Sequence, residues 1–230
     1  MNTRGLTTLF FYCIIVSWIR EYSTGAPTTV KVEFYFLKIM FNESSIAVQN
    51  YDRDLNKLQQ IYDRKGPRAA ANASGDLFEH LVDDVVSEIS QLKSLKNDYL
   101  TAHCLNESRD NVQVDRHIRT LENILKLAIE CKAYLDASYC MRAVANFIEI
   151  SRATDNEVKF VIFCGQRSIA ESTLRYYQAL CKEATGRSFE LFVVNDLKKR
   201  DSKKPIYREK FKLDLKELNR FYEYISNSIT

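Results

Sequence analysis

A mostly helical, disulfide-bearing bundle is the fold class the sequence predicts, and three observations predict it. Only 6 Gly and 3 Pro occur in 230 residues, too few turn formers for a sandwich or barrel, whose many short strands need frequent turns. Hydrophobic residues at 46% and aromatics at 12% supply enough apolar surface to bury one core at this length. Apolar side chains recur at three- and four-residue spacing along most of the chain, the stripe of a helix that packs on one side. The alternative is an α/β domain, if residues 158–194 form a strand-helix-strand unit.

The chain divides into four parts. Residues 1–26 read as a signal peptide: Arg4 provides the positive start, the apolar run extends from Leu6 to Trp18, and Thr24-Gly25-Ala26 offers small residues before Pro27. The run is shorter than the roughly 20 residues of a spanning helix, and Arg20 and Glu21 end it. No membrane span is therefore expected in the mature chain, and the protein is expected outside the cell. Residues 27–197 form the helical domain, residues 198–205 a basic linker, and residues 206–230 an amphipathic helix that docks on the same domain.

Within the domain, Thr28 to Met40 is rich in Val, Phe and Tyr and suits either a strand or the start of a helix. Leu55, Leu58, Ile61 and Tyr62 have helical spacing, and Lys65-Gly66-Pro67 ends that helix. Small and polar residues from Arg68 to Gly75 predict a loop. A stripe of Phe78, Leu81, Val82, Val85, Ile89, Leu92 and Tyr99 predicts a helix ending near Cys104, and Ile118, Leu121, Leu125, Ala128 and Leu135 predict another. Ala143, Val144, Phe147 and Ile150 predict a third. Thr154-Asp155-Asn156-Glu157 fits a capping box, so Phe160, Phe163, Ala170, Leu174, Tyr177 and Cys181 are read as one continuous helix with Gly186 just past its end. The last stripe is Phe211, Leu215, Leu218, Tyr222 and Ile225.

Export gives meaning to the polar motifs. Three sequons place Asn42, Asn72 and Asn106 as glycosylation sites. Cys13 lies in the signal, which leaves Cys104, Cys131, Cys140, Cys164 and Cys181 as disulfide candidates in an oxidising compartment. Four cysteines pair in three ways and the sequence does not choose among them. The odd cysteine is either a buried thiol or the link of a disulfide-bonded dimer. Lys198-Lys199-Arg200 reads as a solvated loop or as a processing site that would release the last helix.

Two units in which tyrosine lies between cysteines are present, Cys131-Lys132-Ala133-Tyr134 through Tyr139-Cys140, and Cys164 through Tyr176-Tyr177 to Cys181. This pattern resembles the bicycle proteins, secreted effectors of gall-forming aphids named for paired Cys-Tyr-Cys motifs. The spacing from Cys104 through Cys181 is also similar to the helical secreted insect proteins typified by the tsetse EP domain. Either resemblance implies an exported protein that acts by contact.

Catalytic signatures are missing from the sequence as read. It has no GxSxG, HExxH, GxxxxGK[ST] or GxGxxG motif, and its histidines, His80, His103 and His117, have no ligand spacing to a carboxylate or cysteine. No catalytic residue, cofactor or metal site is expected, and the protein is expected not to be an enzyme. A net charge of +3, evenly spread, argues against nucleic acid as a partner. The function expected is a secreted effector that binds a host or extracellular macromolecule. The alternatives are a helical cytokine or prohormone-like signal, and a carrier of a small apolar ligand.

Overall fold

A computed structural model describes residues 41–96, 100–103, 109–154, 157–195 and 211–228. All of them lie in one compact unit, Met40–Thr230. The signal peptide, Cys104, Asn106 and Lys198-Lys199-Arg200 fall outside the described residues.

The element order is α1 (Ile46–Lys65), α2 (Pro67–Ser87), β1 (Leu92–Leu95), β2 (Leu100–His103), β3 (Arg109–Val112), β4 (Arg116–Thr120), β5 (Leu125–Leu135), α3 (Ala137–Ala153), β6 (Lys159–Arg167), α4 (Glu171–Thr185), β7 (Phe189–Val193) and α5 (Leu215–Ser226). Among the described residues, five strands form one mixed sheet in the order β1-β4-β5-β6-β7, while β2 and β3 pair separately. The β1–β4 and β4–β5 pairs are antiparallel, and the β5–β6 and β6–β7 pairs are parallel. The all-α bundle is thus corrected to a layered α/β domain, and residues 158–194 adopt the strand-helix-strand alternative.

Each correction has a physical cause. Strand β6 (KFVIFCGQR) is buried on both faces: Phe160, Ile162 and Cys164 enter one apolar cluster, and Val161 and Phe163 the other. An interior parallel strand reads as an unbroken apolar run, which lacks the alternation that distinguishes a strand from a buried helix. Strand β5, the 11-residue LKLAIECKAYL, is also largely buried, with Lys126, Glu130 and Lys132 as its charged interruptions. The stripe from Ile118 to Leu135, read as one helix, is in fact β4, a turn and β5. Residues 68–75, read as a loop, lie inside α2, which starts at Pro67 where a missing N–H costs nothing. Thr154 is not a cap of a new helix; it is the residue at which α3 ends.

Other local signals are realised as read. Gly186 follows α4 in the left-handed region at φ 77°, where an L side chain is strained. Helix α3 carries Ala143, Val144, Phe147 and Ile150 on its buried face; α5 buries Leu218 and Ile225 of the predicted stripe, but with Phe221 in place of Tyr222, while Leu215 is only partly buried and Phe211 precedes the helix. The sheet separates two apolar layers. Helices α1, α2 and α5 cover one face, around Phe78, Phe163, Phe192 and Phe221, and α3 and α4 cover the other, around Phe147, Phe160 and Phe189. No helix among the described residues is long and apolar enough to cross a membrane.

The disulfide framework is also corrected. Cys131, Cys140, Cys164 and Cys181 are buried thiols that form no disulfide. They sit on β5, α3, β6 and α4 as small apolar fillers of the two layers.

Candidate active site

Strands β4 and β5 separate at one end of their ladder. Their pairing closes with Arg116 opposite Ile129, whereas β5 runs on to Leu135, held from there only by β6. The exposed edge of β5 beyond Ile129 therefore has backbone donors that β4 does not satisfy. Asp115, just before β4, fills this gap: its Oδ2 accepts the Cys131 N–H at 2.8 Å.

Period-two alternation then sets the chemistry. Leu127, Ile129 and Cys131 belong to the layer under α2, so Glu130 and Lys132 point to the opposite face, towards α3. The Lys132 ammonium lies 2.5 Å from Asp115 Oδ2 and 2.7 Å from Glu130 Oε2. Asn146 on α3 donates through Nδ2 to the other Glu130 oxygen at 2.8 Å. Burial pushes the Glu130 carboxyl up, against the pull of Lys132 and Asn146 in the other direction. For Lys132, burial works against the charge, but the Glu130 and Asp115 carboxylates hold it above the ordinary lysine range, so it stays an ammonium.

A second set of charges fixes the register of this corner. Arg116, 1% exposed, donates from Nε and Nη2 to the two oxygens of Asp83 at 2.7 and 2.8 Å. Its Nη1 donates to Glu79 Oε2 at 2.6 Å. Both carboxylates stand on α2, so the guanidinium ties that helix to the first residue of β4, and Asp115 is positioned beside it. Lys96 also reaches Glu79, at 2.9 Å.

The cluster forms the floor of an open groove of about 740 Å³ between α2 and α3. Glu79, Asp115, Glu130 and Lys132 line it, and Tyr139 and Arg142 stand on the α3 side. A smaller space of about 280 Å³ continues past Lys96 and Gln113. The donor set suits a hard divalent cation. Magnesium asks a protein for one or two carboxylates and takes the rest of its shell from water and substrate phosphate, and hard oxygen donors select against zinc or copper. The Lys132 ammonium between Asp115 and Glu130 marks the place as one that already holds positive charge. Among the described residues no three His, Cys, Asp or Glu side chains gather into a metal-holding cluster.

Of the residues singled out from sequence, Cys131 borders the cluster through its N–H, which donates to Asp115, and the others lie off it. Asn42 is exposed at the start of α1, its Oδ1 accepting from Ser44 N–H at 2.9 Å and Ser44 Oγ at 2.6 Å. Asn72 is exposed on α2 and lines the groove, while Ser74 Oγ turns back to the Ala71 carbonyl at 2.7 Å. His80 Nδ1 is 3.2 Å from Asp54 Oδ2, and His117 is buried in β4. None of these meets the acid–lysine cluster.

Asp115, Glu130 and Lys132 were missed, and a signal for two of them was present. Glu130-Cys131-Lys132 places two charges two residues apart within an apolar segment. On a strand they share a face, on a helix they do not. Reading the Ile118-to-Leu135 stripe as a helix dispersed the cluster around a cylinder. The expectation of a non-catalytic binder without a site is withdrawn on this geometry, as are the helical-bundle and disulfide features that accompanied it.

No protein-family model matches the chain, and no curated protein matches it. Solved structures resemble it in fold. NucC of P. aeruginosa ATCC27853 in its cAAA-bound form aligns with a TM-score of 0.44 and 11% identity over 66% of this chain and 77% of that one. The Bse634I restriction endonuclease aligns with a TM-score of 0.47 and 10% identity over 78% and 85%. NucC of E. coli MS115-1, also cAAA-bound, aligns with a TM-score of 0.46 and 11% identity over 83% and 93%. Likeness at this level extends to neither an activity nor a substrate.

Proposed function

We propose that the chain is a divalent-cation-dependent hydrolase of phosphodiester bonds in nucleic acid, with Asp115, Glu130 and Lys132 as its central residues. The observation that carries this reading is the Lys132 ammonium within 2.5 and 2.7 Å of two carboxylates on the floor of an open groove. Asp115 and Glu130 would hold the cation, which when bound supplies Lewis-acid polarisation of a phosphoryl oxygen and a more acidic water.

The chain's own groups do the rest. Lys132 is held protonated, so it serves as a donor to a non-bridging phosphate oxygen as charge develops there, and not as a proton acceptor. Cys131 N–H orients Asp115, and Asn146 Nδ2 orients Glu130. These supports come from a strand backbone and a helix, which hold geometry more tightly than a loop does. A groove open to solvent admits a long polymer, and net charge of the whole chain says little about a local site. The earlier exclusion of nucleic acid from charge balance alone is therefore set aside.

The test is cleavage of single- and double-stranded DNA and RNA with Mg²⁺, Mn²⁺ or EDTA. Wild type is expected to cut with a divalent cation and to stop with EDTA. Lys132→Ala, Asp115→Asn and Glu130→Gln are each expected to lose on the order of 10²–10³-fold in rate. Cleavage at the wild-type rate by Lys132→Ala, or no cleavage of any nucleic acid by wild type, would end this reading.

A further inference from the structure

Resting on the reading above, we infer that Tyr139 and Arg142 form a stacking platform for an unpaired base beside the scissile phosphate, so that the preferred substrate is single-stranded, at least locally. Three observations converge. Both side chains line the same groove as Asp115, Glu130 and Lys132. Tyr139 is 39% exposed as a residue, one of the large aromatic side chains not packed into either layer. The Arg142 guanidinium lies 4.4 Å from the centroid of that ring.

Arg142, like Arg64 and Arg68, has no carboxylate partner among the described residues, and of these three it is the one that lines the groove. Arg152, Arg167, Arg175, Arg187 and Arg220 are each matched to a carboxylate. Arg142 is exposed and, among the described residues, has its ring contact and no salt bridge. An unmatched guanidinium at the mouth of a groove floored by carboxylates keeps its charge for an anion brought in from outside. Its planar fork is suited to phosphate, while aromatic and guanidinium planes both stack on bases.

The platform sits on a capped helix start. Tyr139 is in the first turn of α3, and its N–H is capped by Asp136 Oδ1 at 2.8 Å. Tyr139 and Arg142 are three residues apart on one helical face. The opposite wall carries small residues, Pro67, Ala71 and Gly75 of α2, which leave width for a base. A paired base has both faces occupied by its neighbours in the duplex; only an unpaired one is free to stack here.

The experiment separates platform from catalysis. Binding of a fluorescein-labelled single-stranded oligonucleotide and of its duplex is measured by anisotropy on a Lys132→Ala background, with melting curves to check folding. Tyr139→Leu is expected to weaken single-strand binding by about 5- to 100-fold, the loss when a base gives up an aromatic face. Tyr139→Phe is expected to stay within about 2-fold of the parent, and duplex binding to change little in either variant, on the same stacking logic. Arg142→Gln is expected to lower the slope of log affinity against log salt by about 0.7, one phosphate contact on a single strand. Full single-strand affinity in Tyr139→Leu, or an equal fall in Tyr139→Phe, would overturn the platform while leaving cation-dependent cleavage by wild type intact. Loss of that cleavage from the wild-type protein would instead remove the functional reading itself.

Discussion

Cys140 on α3 and Cys181 on α4 lie in one apolar layer, each with no exposed surface. Burial pushes the Cys140 thiol up to about 12, with Cys181 adding to the effect, and burial also raises Cys181. The thiolate is the reactive form. At pH 8.5, where an unfolded cysteine is about half ionised, both should resist alkylation by iodoacetamide, and both should react after denaturation in guanidinium without reductant. Labelling of the native protein at the unfolded rate would refute the burial argument. Failure to label after denaturation would reveal a disulfide. Gly165 is a second point at which one residue is constrained. A Cβ there would stand 2.4 Å from the Phe78 ring, 2.5 Å from Asn195 Oδ1 and 2.9 Å from the Ala133 carbonyl. The last is backbone of the adjacent strand and cannot give way. Gly165→Ala is therefore expected to cost about 1–3 kcal/mol, lowering the melting temperature by roughly 2–12 °C for a chain of this size, as calorimetry would show.

At the scale of elements, Arg116 joins α2 to β4 through Asp83 and Glu79. Burial works against its charge, but Asp83 and Glu79 hold it fully protonated. Removing one partner from a buried pair costs more than the pair contributes, because the other charges stay behind. Glu79 retains Lys96 at 2.9 Å and Asp83 accepts from Ser94 Oγ at 2.6 Å, which softens the loss. Arg116→Ala is expected to destabilise by about 3 kcal/mol, measured as a lower urea midpoint; a shift under about 0.5 kcal/mol, the usual surface effect, would show that the network does not hold the helix. The same elements explain what the sequence revealed. Helices α1, α3 and α5 have one apolar face and one polar face, so their stripes were legible. Strand β6 is apolar on both faces, and nothing local separated it from helix; β5 differs in carrying Glu130 and Lys132 on one face, a period-two signal the helical reading passed over. The site inherited that ambiguity: Asp115 meets Glu130 and Lys132 only through the β4–β5 hairpin, a tertiary relation that no single segment encodes. Asn146 arrives from a third element, α3, and Cys131 N–H becomes available because β4 ends, a fact of pairing and not of composition.

Across the whole molecule, the final helix closes the layer that α1 and α2 leave open. Phe211, Leu218, Phe221 and Ile225 are fully buried, and Phe221 packs against Phe163 of β6 and Phe192 of β7 at centroid distances of 4.5 and 5.0 Å. Further ties run across this contact: Tyr51 on α1 donates its hydroxyl to the Phe211 carbonyl at 2.8 Å, and the Phe41 N–H donates to Asn219 Oδ1 at 2.6 Å. Each buried side chain is worth about 1.5–3 kcal/mol, so the four together rival the about 5–15 kcal/mol that holds a domain folded. A peptide beginning at Phe211 is thus part of the core and not a detachable arm. Two outcomes follow. A chain cut with trypsin at Lys198-Lys199-Arg200 should keep the C-terminal fragment bound, the two pieces eluting together on size exclusion and separating only in denaturant. A chain ending before Phe211 should fail to show a cooperative thermal transition. Release of the fragment in native buffer, with the remainder still folded by circular dichroism, would show that the layer is complete without it and that α5 is available to bind something else.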